Sequence, residues 1–560
     1  MNINSLYPYF KLDSLNGFVV SAIGLFSVLT VIYSFGFMRK RQRLFEYYTY
    51  IVLTAIAAVG TVLSNNLILL LVLWGFLGLT LYLLISMGDD TAAVAKKTLI
   101  IVGGSDAVML LGICIIYNLC GTFQIDKIRL GLNNNLAVLA YLCIAIACFA
   151  KAGAMPFHSW IPDCAKAAPV PVVAYLPAAL DKLLGIYLLA RISLNLFVMN
   201  KALNIFLMLI GALTIIAAAM MALVQHNMRR LLGYCAVSQV GYMVLGIGTG
   251  NPIGIAGGLF HMLNHAVYKS CLFLSAGNVE SRTGAQELDE LGGLARLMPL
   301  TYISFLVASL SISGVPPFNG FFSKWMVYQG LISQLQNADY GLRIVAVLCL
   351  VAAMLGSVLT LASFMKLIHA TFLGRPAKPQ TPKSPNEVSP TMWFPCLTLA
   401  GICILFGVFA FSIPLKYFIL PALADHKNTD IANLSGIWSP TLATLLIVLG
   451  LVLGFIIFLL SKSRLSLRQD ASFTGAETQE IKVENRVTGT EFYNTVGEIG
   501  LLRNIYNAAF AGTFDIYEQA KKVFSFSKLL QYLHNGIMAT YLVWMLLGMV
   551  GLFLLLARAR

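Results

Sequence analysis

The chain has 560 residues, of which 58% are hydrophobic and 11% charged, with a formal net charge of +14 at pH 7 and a mean hydropathy of +0.80. A soluble fold of this size cannot hide that much apolar surface, so composition excludes a soluble enzyme and predicts an all-α, polytopic membrane protein. The basic residues sit beside the ends of apolar segments, which reads as positive-inside loops and excludes a nucleic-acid surface.

In chain order the apolar segments fall near 17–38, 46–64, 66–87, 98–118, 134–155, 172–193, 202–224, 231–249 and 254–278. They continue with 298–336, 344–373, 393–413, 438–461 and 536–557. Each is near or above the roughly 20 residues that cross a hydrocarbon core. Segment 298–336 is too long for one straight helix and carries SGVPPFNGFFSK; taken as one crossing broken at Pro316–Pro317, it brings the count to about fourteen. The first segment reads as an uncleaved signal anchor.

Parity tests the count. Arg39, Lys40, Arg41 and Arg43 follow the first segment and place that end in the cytoplasm, the N-terminus outside. HNMRR (226–230), SKSRLSLR (461–468) and the loop with Arg375, Lys378 and Lys383 then also fall inside. Two crossings in 298–336 would put both later runs outside, so the broken helix is favoured. Lys127 and Arg129 fall outside against the rule, and nothing in the sequence explains them.

Ten cysteines are scattered through the spans without a CxxC pair or cluster spacing, so no iron–sulfur centre, haem or disulfide framework is expected and no cofactor is assigned to this chain. Beyond a polar loop at 462–490, residues 491–530 place Phe492, Val496, Ile499, Leu502 and Ile505 at helical spacing among Glu498, Arg503, Asp515, Glu518 and Lys521. That pattern predicts an amphipathic helix of up to about 60 Å lying along a surface, bent at Gly512, with the last span anchoring its far end.

The chemistry concentrates between Cys143 and Arg191. An apolar span carries Lys151, breaks over Pro156, Pro162, Pro169, Pro171 and Pro177, and is followed by a second span holding Lys182. An ammonium at the centre of a membrane helix costs about 2.5–3.5 kcal/mol to insert, so intramembrane lysines point to function. Irregular backbone at that depth needs protein cover or a wet cavity. Lys269 and Lys324 sit in similar surroundings; snorkelling explains one such lysine more easily than four. His261, His265 and Lys269 recur at i, i+4 and i+8, on one helix face spanning about 12 Å. Neutral histidines there suit a proton relay, with hydrogen-bonded structural histidines as the alternative; no further ligand completes a metal site. Asp106, Asp163 and Asp181 are the acids near this region, each expected to pair with a base. The two broken segments, Lys151 with Pro156 and Lys324 with Pro316–Pro317, suggest an internal inverted repeat with the ion path at the interruptions.

KAGAMPFHSWIPD, LDKLLGIYLLAR, ALVQHNMRRLLGYCAVSQVGYM, FHMLNHAVYKSCLFLSAG and SGVPPFNGFFSK together resemble successive signatures of the antiporter-like membrane subunits. These occur in respiratory complex I (subunits L, M and N of the bacterial NADH–quinone oxidoreductase), in membrane-bound group 4 hydrogenases and in Mrp cation/proton antiporters. The resemblance covers about residues 10–375, and the C-terminal lateral helix and anchor look most like subunit L.

The resemblance implies a division into an N-terminal helix with its basic loop (1–45), half-channels at 46–201 and 202–373, C-terminal helices at 374–461, the loop and lateral helix at 462–535, and the anchor at 536–560. It implies that Lys151 is the central lysine of the first broken helix, Lys182 the connecting lysine, His261, His265 and Lys269 the middle relay, and Lys324 the exit lysine. Asp106 corresponds to an acid found in subunit L. The chain would be a non-catalytic subunit moving protons, or sodium, across the plasma membrane beside other membrane subunits and peripheral redox subunits. A Mrp-type exchanger, and the membrane partner of an inorganic-carbon uptake enzyme, are the rival readings. One departure stands out: the family's glutamate after the tryptophan of the third span is Gly75 here, leaving Asp106 or Asp181 to replace it. The first two family helices are also missing, for which a separate small subunit could account.

Overall fold

The computed structural model describes residues 9–39, 41–337, 339–374, 386–423, 440–460, 492–524, 527, 531 and 536–558. The protein is almost wholly helical, and ten helices among the described residues are long and apolar enough to cross a membrane. The first are α1 (Ser14–Phe37), α2 (Leu44–Leu63), α3 (Leu67–Ile85), α4 (Ala92–Cys120) and α5 (Asn135–Ala152). A short α6 (Trp160–Ala167) leads into α7 (Val170–Leu196), then α8 (Lys201–Leu223), α9 (Met228–Gly248) and α10 (Pro252–Thr283). Next come α11 (Pro299–Ser313), α12 (Asn319–Asn337), α13 (Tyr340–Leu373), α14 (Pro390–Val408), α15 (Phe411–Leu423) and α16 (Pro440–Leu460). The chain divides into two compact units, Met1–Ile499 and Gly500–Arg560.

Several helix starts share one local cause. Asn66, Asn134, Asn200, Asn227 and Asn251 each stand at an N-cap and accept a backbone N–H of the first turn, which satisfies a donor that lipid could not. The bundle has two chemically distinct ends. At the basic end, Arg41 meets Asp89 (2.5 Å), Lys97 meets Asp163 (2.8 Å) and Arg229 meets Glu280 (3.0 Å). At the other, Lys11 meets Asp126, Lys201 meets Asp339, and the two-residue strands β1 (Leu130–Gly131) and β2 (Phe197–Val198) pair in parallel.

The opposite end also holds a buried lock. Arg191 of α7 grips Asp13, the N-cap of α1, at 2.7 and 3.0 Å, while Tyr187 donates to Val62 O at the end of α2. Burial would raise the Asp13 carboxyl, but the Arg191 hydrogen bond and charge outweigh it and hold the group below its ordinary 3.8. Asp13→Asn is therefore expected to lower stability in detergent, read as a lower melting point, by about 2 kcal/mol for a pair that is partly open to solvent. A depressed carboxyl stabilises above the unfolded pKa and ceases to as pH falls through the folded one. The deficit should thus be constant from about pH 7 to 5 and fade below about pH 3; a deficit that does not change with pH would show that the charge is not responsible.

The proline-rich stretch behaves differently from the expectation. Pro162 lies in the first turn of α6, Pro171 in the first turn of α7, and Pro177 at the start of a π-helical turn inside α7. A proline in a first turn removes no needed donor, so helix runs through Pro162 and Pro171; at Pro177 the chain passes the missing donor in the π-helical turn Leu176–Leu180. The chain is non-helical at residues 153–159, around Pro156, and again at Ala168–Pro169, and α7 then runs unbroken.

The 491–530 segment also departs from its predicted single helix. Its described part is three short helices, α17 (Asn494–Glu498) in the first unit, then α18 (Gly500–Phe510) and α19 (Ile516–Val523) in the second. Ile499 leaves the helix in extended conformation, and Gly512 turns at φ +74. Ahead of α17, the Phe492 ring packs on His369 and Tyr493 donates to Ala362 O, both on α13. In the second unit the apolar α20 (Met538–Arg558) follows α19. The 462–490 loop and the basic positions Lys40, Arg375, Lys378, Lys383 and 461–468 lie outside the described residues.

Candidate functional site: a buried row of bases

Two interruptions of the same design frame the site. Residues 153–157 read GAMPF and 314–318 read GVPPF. In both, the helix ends on a glycine at φ +80 (Gly153 after α5, Gly314 after α11). The next N–H reaches back five residues, Ala154 to Phe149 O and Val315 to Leu310 O, and the phenylalanine N–H closes a turn onto that same residue's carbonyl. A glycine is required at each place because φ is left-handed and a Cβ would strike Ile161 Cδ1 at the first, Lys324 Cδ (3.2 Å) at the second. α5 approaches its break from the β1/β2 end, α11 from the basic end, so the two are oppositely directed.

Each break is pressed by a lysine. The Lys182 ammonium lies 3.3 Å from where a Cβ of Gly153 would be, and Lys324 donates to Ile312 O at 2.8 Å. Lys151, Lys182, Lys269 and Lys324 are 0–2% exposed, deep in the bundle and not at its ends. Eight of the nine residues singled out from sequence, all but Asp163, come together in one chain of neighbours.

Lys151 donates to Trp74 O (3.3 Å) and sits 5.0 Å above the Trp74 ring. The Asp106 carboxylate on α4 is close enough to attract it, beside the Trp74 indole NH but without a well-aligned hydrogen bond to it. Asp181, fully buried, attracts both Lys151 and Lys182. Lys182 faces the Trp160 ring at 5.8 Å, and His265 lies between Lys182 and Lys269, within the electrostatic reach of both. The Lys269 ammonium is flanked by the Phe273 and Phe364 rings at 5.5 and 5.6 Å. His261 shares a hydrogen bond with Ser323 Oγ (2.8 Å), and its Nε2 faces the Gln239 amide oxygen (3.2 Å) and the Tyr268 hydroxyl (3.3 Å). Lys324, which acts on His261, stands 4.8 Å over the Tyr242 ring.

What the row can do follows from what its members lack. Both Asp181 oxygens, both His265 nitrogens, Lys182 Nζ and Lys269 Nζ are buried without a hydrogen-bond partner in the protein. Leaving charged groups so is costly, and water bridging them is the usual remedy. A row of ammonium, imidazole and carboxylate joined by water passes protons; aromatic faces hold the cations without trapping them in a tight pair. Asp163 does not belong to the row: it binds Lys97 at the basic end. The sequence did not single out Gln239, Ser323, Tyr268 or Trp74, since polar and aromatic residues on apolar helices carry no pattern of their own. It also passed over Lys366, a fifth buried lysine, which donates to Leu223 O (3.0 Å) and Gln225 O (2.9 Å) and so caps α8.

Fold and row together define a polytopic membrane protein with two oppositely directed broken helices joined by buried bases. Residues 64–365 match the family described as NADH:quinone oxidoreductase/Mrp antiporter, transmembrane, and the chain belongs to that family. The A1 subunit of a Staphylococcus epidermidis Na(+)/H(+) antiporter is 32% identical over 422 residues, 72% of this chain and 52% of that protein. The corresponding Na(+)/H(+) antiporter protein of Alkalihalophilus pseudofirmus is 29% identical, covering 88% of this chain and 65% of its own length. The chain thus spans about half to two thirds of the curated relatives it matches. In fold it is similar to a chain of the Mrp complex from Dietzia sp. (TM-score 0.68, 22% identity, 75% of this chain and 85% of that one). It is also similar to a chain of an archaeal membrane-bound sulfane sulfur reductase (TM-score 0.77, 20% identity, 98% and 89%).

Proposed function

We propose that this chain is the ion-translocating subunit of a complex I-related, redox-driven complex in the plasma membrane, with half-channels at 46–201 and 202–373. Protons, or sodium, move as a neighbouring redox reaction disturbs the charges of the row in turn. Asp106 and Asp181 serve as counter-charges, Lys151 and Lys182 as the first stations, His265, Lys269 and His261 as the middle relay, and Lys324 as the exit. The observation that carries this reading is the unbroken succession of buried bases between the two broken helices, with Lys182, His265 and Lys269 lacking any hydrogen-bond partner in the protein. Partners are other membrane subunits and peripheral redox subunits, which hold the cofactors.

A second reading, exchange of sodium for protons with no redox step, is favoured by the 32% identity to a protein named for that exchange. Purification of the native complex followed by mass spectrometry of its subunits separates the two. Flavin, iron–sulfur or nickel subunits are expected. Their absence, with sodium-dependent proton movement in vesicles, would replace the redox reading by the exchanger. Wild-type complex that moves neither ion would sink both.

A further inference from the structure

α10 carries a second polar stripe, on a different face from the row. Asn264, Cys271, Ser275 and Asn278 point about 110° away from His261, His265 and Lys269 at 3.6 residues per turn. That stripe faces a seam where α10, α11 and α14 pack pairwise.

The seam is polar along about 21 Å, from Asn264 to Asn278. At the inner end, the side-chain amides of Asn264 and Asn319 bond (3.0 Å), Asn264 also donates to Asn319 O, and Ser311 donates to the Asn319 amide. The Cys403 thiol lies beside Ser311, and the Cys271 thiol, within reach of Cys403, approaches Cys396 O at 3.3 Å. The Ser275 hydroxyl is next to the Cys271 and Cys396 thiols without a well-aligned hydrogen bond to either. At the outer end Asn278 donates to Thr301 Oγ1 (3.1 Å), which donates to Glu387 (2.7 Å). Glu387 also accepts the Leu300 and Thr301 N–H groups that open α11, so it marks the basic end.

Polar side chains between membrane helices commonly act as dry glue. Glue satisfies its own atoms. Here the Asn278 amide oxygen and the Ser275 hydroxyl are buried at 0% exposure with no hydrogen-bond partner. An unmet buried polar atom is destabilising, and an enclosed water removes that cost. Amides and thiols do not themselves hand on protons efficiently, so water is also what would make the seam conduct.

We propose that this seam holds a file of water joining the basic end to the α11–α12 break. It gives the Lys324–His261 half of the row proton access from that side, and so rests on the proton reading above. The junction is Asn319, which opens the helix carrying Ser323 and Lys324 and is bonded to Asn264, the residue between His261 and His265.

The test uses the complete complex in sealed vesicles, in a chain that keeps Cys271, Cys396 and Cys403 and has its other cysteines replaced by alanine. Silver ion added on the basic-end side is expected to block transport and to protect Cys403 from alkylation after denaturation. Asn278→Leu, an apolar plug, is expected to cut transport at least ten-fold and to leave Cys403 unprotected. Failure of silver to reach Cys403, or wild-type transport in Asn278→Leu, overturns the water file; the silver measurement needs no change within the seam. Lys324→Ala in parallel separates the two claims: silent Lys324→Ala with an unreachable Cys403 leaves the row standing and the seam dry, whereas wild-type transport in Lys324→Ala removes the row.

Discussion

Lys324→Ala and Lys151→Ala should each stop coupled proton transport in the reconstituted complex, to the leak of protein-free vesicles, while the complex still assembles. The two effects separate for a physical reason. Each lysine is a costly group to bury: insertion scales put an ammonium at the centre of a membrane helix at about 2.5–3.5 kcal/mol. Removing it relieves that cost and leaves a cavity whose penalty is of similar size, about 2–5 kcal/mol for a long side chain cut to alanine. Net stability therefore changes little, and Lys324→Met, which keeps the volume, should if anything be more stable. Transport has no such compensation, because neither a methyl nor a thioether group can hold a proton. Arginine at 324 would keep the bond to Ile312 O and the contact with the Tyr242 ring, yet it cannot release its proton, so it too should be silent. Normal pumping in any of the three would remove Lys324 from the path. Loss of assembly in Lys324→Met would instead make the lysine a structural prop of the second break.

Much of this row is legible in one dimension. A lysine inside an apolar span is improbable unless used, and i, i+4, i+8 spacing puts His261, His265 and Lys269 on one helix face whatever the fold. The interruption at Pro316–Pro317 follows from length, and the structure confines it to residues 314–318. What escapes is everything set by neighbours. Pro162 and Pro171 look like breaks until the helix starts are known, because a proline's effect depends on its distance from the N-cap. The amphipathic 491–530 pattern fits one long helix, and only backbone conformation at Ile499 and Gly512 divides it. Likewise Asn278 and Ser275 read as ordinary small polar residues, and their lack of partners appears only when α11 and α14 are in place.

For the acid absent at Gly75, position points to Asp106. A Cβ at Gly75 would meet one side-chain atom within 4 Å, Asp106 Oδ2 at 3.9 Å, and at Gly78 the same oxygen lies 3.7 Å away. The carboxylate of α4 thus fills the space into which an acid on α3 would project, next to the Trp74–Lys151 contact. Asp181 attracts Lys151 at least as strongly, but it is shared with Lys182, whereas Asp106 has Lys151 alone. Asp106→Asn is accordingly expected to reduce transport about as severely as Lys151→Ala, because an uncompensated ammonium loses the partner whose approach and withdrawal sets its proton affinity. Gly75→Glu alone would crowd a second carboxylate against Asp106; one of the two would stay protonated and the gain would be nil. Combined with Asp106→Asn, the glutamate has room and a single charge to offer. The double variant should recover transport that neither single change supports, measured as proton uptake in vesicles at equal complex content. Wild-type rates in Asp106→Asn would move the counter-charge to Asp181. A silent double variant would mean that the acid must sit on α4, where its distance to Lys151 is set by a different helix from the one that carries Trp74.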